Sequence, residues 1–142
     1  MDKNEKLLNS ILSTVQMGQI GIRSALDTSV RTDLRNALNS QLKEYDEIEK
    51  EAYEIATSRG WELREVDPAV RGMANLMVKA RLISGKTDSK IAAMMIQGNT
   101  RGMIMGLKDL HQCSRPDNQI KALNQKLLDS EQANIRQMQG FL

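Results

Sequence analysis

Residues 91–110 read IAAMMIQGNTRGMIMGLKDL, an apolar, methionine-rich run carrying Gln97 and three glycines four residues apart, Gly98, Gly102 and Gly106. An interior glycine costs a helix roughly 1 kcal/mol relative to alanine. Three of them stacked along one face therefore predict a helix that another backbone or a bulky side chain approaches closely. A functional groove along that face is the alternative. The flanking chain has to supply the helices that pack there, and its composition suits that task. The 142 residues hold two prolines, one Phe, one Trp and two Tyr, while Leu, Ile, Ala and nine Met provide the apolar mass.

Working outward, Asp88 or Thr87 caps the Ile91 helix, which ends near His111 because Ser114, Arg115 and Pro116 form turns. A last helix from about Asp117 to Phe141 follows on Ile120, Leu123, Leu127, Leu128, Ile135 and Met138, with Glu131 and Asn134 interrupting the stripe. Upstream, Asp67-Pro68 reads as a cap and a first-turn proline. It opens a helix to Ile83 on Val70, Met73, Ala74, Met77 and Arg81, broken or kinked at Ser84-Gly85-Lys86-Thr87. The segment Trp61 to Asp67 reads as an extended connection.

The second helix, about Val30 to Arg59 with Gly60 as its stop, repeats Leu34, Leu38, Gln41, Tyr45, Ile48, Ala52 and Ile55 at spacings of four and three. The first, from Asn4 or Glu5 to about Leu26, uses Leu8, Ile11, Leu12, Val15, Ile22 and Leu26, and between Val15 and Ile22 its seam must be filled by Gln16 or Gln19. Asp27-Thr28-Ser29 supplies the turn and cap between these two helices. Polar residues thus enter several seams, and a buried amide or phenol needs partners on other helices. Two helical hairpins joined by a longer crossover give one all-α domain over residues 1–142, an antiparallel four-helix bundle.

The lone Cys113 excludes a disulfide framework and a cysteine zinc cage and points to a reducing, cytoplasmic setting. The apolar run Ala92 to Ile96, extended by Ile91, is far short of the roughly 20 residues of a bilayer span, so no membrane partner is expected. The N-terminus lacks the pattern of a secretory signal. Charge is uneven under a net +2: residues 1–68 carry 9 Lys/Arg against 13 Asp/Glu, and residues 69–115 carry 8 against 2. That distribution suits helices of opposite sign lying side by side within or between subunits. Nucleic-acid binding is not expected, because the cations are dispersed and no aromatic platform accompanies them. His111 and Cys113 stand two apart, which on a helix directs them to different faces and argues against a Cys-His nucleophile.

The layout resembles the ferritin-like superfamily, and more closely the small bacterial bundles related to spore-coat-like and rubrerythrin-like proteins. The words that carry the resemblance are Gln16-Met17-Gly18, Gln41 to Tyr45, Met94-Met95-Ile96-Gln97-Gly98 and Glu131-Gln132-Ala133-Asn134. In metal-bearing relatives, one Glu from each of two helices and a Glu-x-x-His from each of the other two form a di-iron site. The resemblance maps those ligand positions onto Gln16, Gln41, Glu44, Gln97, Glu131 and Asn134, where both histidines are gone and amides replace carboxylates. It therefore implies a vestigial inner layer in which these residues and Tyr45 hydrogen-bond one another, with no cofactor and no metal. The expected role is a non-enzymatic structural or protein-interaction module, a homo-oligomer (dimer) or partner of another protein. A weakly metal-binding, iron-handling or oxidase-type protein, and a small-ligand binder using the bundle cavity, are the alternatives.

Overall fold

The computed structural model describes residues 2–28, 30–83, 85 and 87–142. Its described residues form five helices and no strand: α1 Lys3–Leu26, α2 Thr32–Ser58, α3 Pro68–Leu82, α4 Asp88–Gln112 and α5 Asn118–Gln139. Four of these starts are sealed by side chains that accept otherwise unpartnered backbone N–H groups: Asp2 for α1, Asp67 for α3, Thr87 for α4 and Asp117 for α5. The α2 start has no side-chain cap at Arg31 and falls two residues later than Val30; Ser29 of the expected capping turn lies outside the described residues. Gly60 closes α2 with φ +70°, and the Trp61 N–H reaches back to the Ala56 carbonyl at 2.9 Å, a hydrogen-bonded stop that a glycine makes cheaply.

Cross-helix contacts fix the directions. Gln19 donates to Asp46 and Gln16 to Glu49, so α1 and α2 run antiparallel. Gln41 meets Gln137, Tyr45 meets Glu131 and Lys126 meets Glu51, so α2 and α5 are antiparallel as well. Gly106 lies against Leu128 and Gly102 against Glu131, pairing α4 with α5 in the same sense. Ser10 donates to Asp109, while Gly21 lies against Met95, which closes the ring with α1 antiparallel to α4. The segment 61–67 climbs beside α1, held where Asn9 binds the backbone of Arg64 and where the Val66 N–H donates to Gln16 at 2.9 Å. From there α3 packs on α1, through Ser24 to Asn75, and delivers the chain to the start of α4.

The seven-residue seam of α2 is buried throughout, as are Leu8, Ile11, Leu12, Val15 and Ile22 of α1. The expected break or kink at Ser84-Gly85-Lys86-Thr87 includes Ser84 and Lys86, which lie outside the described residues; on either side of it α3 and α4 are separate helices. The expected α3 stripe points the other way: Val70, Met73 and Met77 are exposed, and Leu82 is its one buried residue, beside half-buried Arg71, Ala74, Asn75 and Val78. A 15-residue helix packed chiefly on α1 has one main line of contact to bury, and here the line through Asn75, Val78 and Leu82 takes it.

Candidate functional site: a buried phenol, carboxyl and amide cluster

At mid-bundle Tyr45 of α2 donates its hydroxyl proton to the Glu131 carboxyl of α5, and both side chains are 2% exposed. Asn99 of α4 lies on the other side of the same hydroxyl at 3.1 Å. A phenol has a single proton. With that proton on the Glu131 bond, the Asn99 amide satisfies the arrangement by turning its Nδ2 toward the phenol, which also gives a partner to a buried nitrogen otherwise without one. The chain Asn99 N–H to Tyr45 O–H to Glu131 then crosses three helices. Asn134, one turn beyond Glu131, is buried beside the phenol, its own Nδ2 unpartnered.

Close glycines make the room. A β-carbon on Gly18 of α1 would stand 2.7 Å from the Tyr45 ring. One on Gly102 would stand 3.0 Å from Glu131 Oε2 and 3.2 Å from Thr14 Cγ2. Gly106 abuts Leu128, and its carbonyl accepts from buried Asn124 at 3.3 Å.

Burial pushes the Glu131 carboxyl up to about 7, against the opposing effect of the Tyr45 hydrogen bond. Burial, followed by the charge of Glu131, holds the Tyr45 hydroxyl well above the usual phenol range. Below neutral pH the cluster is thus largely an uncharged hydrogen-bonded unit.

The other positions fall outside it. Gln16 is buried one layer away, where it donates to Glu49 at 3.2 Å and accepts from the Val66 N–H. Its neighbour Tyr53, pushed up to about 12 by partial burial and by its bond to Glu65, belongs to the same outer patch. Gln41 is buried but pairs with Gln137 at 2.8 Å. Glu44 is exposed and accepts from Ser130 at 3.0 Å. Gln97 is exposed too, accepting from Arg81 of α3 at 3.3 Å.

The inner line of α4 is Met95, Asn99, Gly102 and Gly106, spaced four, three and four. A strict four-residue spacing drifts about 40° per step around a helix, so Gly98 falls off this line and has nothing within 4 Å of its would-be side chain. Asn99 was legible in that mixed spacing, which is the one α2 uses. His111 is exposed, whereas Cys113 is buried at the end of the bundle, its thiol 3.6 Å from Asn4 Oδ1. Cys113 lines a cavity of about 150 Å³ with Lys3, Lys6, Leu7, Asp109 and Gln112, far from Tyr45.

A di-iron centre needs several anionic oxygens and imidazoles around one space. The cluster offers one carboxyl, already held by a phenol, and two neutral amides, with no imidazole and no second anionic oxygen. Among the described residues no three His, Cys, Asp or Glu side chains gather in a way that would hold a metal ion. The residues do not fit the group. No family model matches the chain, and neither the curated proteins nor the solved structures contain a match.

Proposed function

We propose that this chain is a non-enzymatic, ferritin-like bundle of the cytoplasm with a structural or protein-interaction role, one that self-associates or binds another protein. Its former metal layer has become a packing layer. The observation that carries the reading is the Tyr45, Glu131 and Asn99 chain at mid-bundle, where the one carboxyl is held by a phenol and no anionic cage is present. Two antiparallel hairpins, α1 with α2 and α4 with α5, joined by a crossover running along α1, support the ferritin-like assignment.

Anaerobic titration of the purified protein with Fe(II) and with Mn(II), followed by calorimetry and elemental analysis, tests it. The expected result is no stoichiometric uptake. Near-stoichiometric metal that is lost on Glu131→Gln would overturn the packing-layer reading and restore an iron-handling one.

A further inference from the structure

The apolar line of α3 that the bundle leaves uncovered is the strongest unassigned feature. Val70 is 50% exposed, Met73 66%, Leu76 69% and Met77 57%, and Ile83 just past the helix end is 82% exposed. Surface apolar residues scattered singly need no explanation, but a contiguous set on one helix marks a contact surface. At 3.6 residues per turn, Met73 and Met77 lie opposite Asn75 and Leu82, which face α1, so they crown a convex ridge.

The charges are arranged around that ridge. The α3 sequence PAVRGMANLMVKARL holds three cations and no acid. Arg81 lies on one flank and Lys79 on the other, reaching Asp27 at only 4.0 Å, while half-buried Arg71 falls on the inward line with Asn75, Val78 and Leu82. Arg81 spends its contact on neutral Gln97 of α4, and Arg101 follows one turn further along that helix. Among the described residues Arg71, Arg81 and Arg101 form no salt bridge.

A second copy of the same ridge would bring cation against cation. The exposed face of α2, the acidic one, carries no large exposed apolar residue to meet it. The covering surface must therefore be apolar at its centre and anionic along both flanks. A bilayer containing anionic lipid has that layering: acyl chains below, phosphates at the level of the flanking cations. A helix too short to span can still lie in this interface.

We propose that α3 is a peripheral docking element for anionic lipid surfaces, the ridge of Met73, Leu76 and Met77 entering the acyl boundary while Lys79 and Arg81 on its two flanks meet headgroup phosphates. This goes beyond the reading of the buried cluster and does not depend on it.

Co-sedimentation of the full chain with vesicles of phosphatidylcholine, with and without phosphatidylglycerol, tests the assignment. Binding is expected only to the anionic vesicles, falling as salt is raised. Met73→Glu/Met77→Glu should weaken it at least tenfold with the melting temperature unchanged, since neither side chain is buried. Lys79→Gln/Arg81→Gln, a second variant that leaves the ridge intact, should weaken it about fivefold per cation removed. The proposal is overturned by any of three results: no binding to anionic vesicles, equal binding to neutral ones, or full binding by both variants. Light scattering that shows a dimer dissolved by Met73→Glu/Met77→Glu, without vesicle binding, would overturn it in favour of a second copy.

Discussion

Replacing Glu131 by Gln should raise stability at alkaline pH and leave it nearly unchanged in mild acid. The carboxyl titrates near 7 in the folded protein against an ordinary value of 4.5. Between those limits the folded chain keeps a proton that the unfolded chain has released, so stability falls as pH rises. The neutral carboxyl's contribution is fully present below about 4.5 and is lost as the pH rises through about 7. At about 1.4 kcal/mol per pH unit, the interval corresponds to about 3 kcal/mol, an upper bound for a group that sits 2% exposed. Glutamine has the shape of the neutral acid and no proton to release, and its carbonyl still accepts from Tyr45. Urea unfolding followed by far-ultraviolet circular dichroism should then give two curves within about 1 kcal/mol of each other near pH 5. Near pH 8 the variant should be more stable by up to about 3 kcal/mol. Parallel pH dependences, or a variant weaker than the parent near pH 8, would refute the placement of a buried, normally neutral carboxyl at the bundle centre.

Tyr45→Phe removes the one hydroxyl that steadies the Glu131 carboxylate. The Glu131 titration, read by carbon NMR of side-chain carboxyls, should move further up, and stability near neutral pH should drop by about 1–3 kcal/mol; an unmoved titration contradicts the hydrogen bond. Gly98→Ala and Gly102→Leu should shift the melting temperature in opposite directions. Open space at Gly98 leaves only the helix-propensity gain of about 0.5–1 kcal/mol, whereas Glu131 at 3.0 Å and Thr14 at 3.2 Å make the Gly102 change overpacking that costs about 1–3 kcal/mol. Shifts of the same sign would mean that the inner line of α4 is misplaced.

How far the sequence reached depends on whether a residue's environment is set by its own helix. The α2 seam was legible because seven inward positions repeat at one mixed spacing, and a helix with so regular a stripe has one way to bury it. In α3 the same kind of pattern misled. Apolar spacing says that a helix has an oily side, but whether that side meets the bundle or the outside depends on which neighbours are within reach, and α3 packs chiefly on α1. Gln16 was legible as buried but not as a partner of the Val66 backbone, since the path of the 61–67 connection carries no periodicity.

Gln97 and Glu44 came from positional mapping rather than from phase, and phase excludes both: each is one or two residues off an inward line, which turns it into solvent. The residue types along the seam follow a simple electrostatic logic. Two carboxyls close together in a dry interior cannot both ionise without a cation between them. A single carboxyl can stay neutral near pH 7 and accept a phenolic proton, while Asn99, Asn134 and Gln41 stay neutral at every pH. One acid surrounded by amides is the composition that a bundle core tolerates when no cation is there to balance a second.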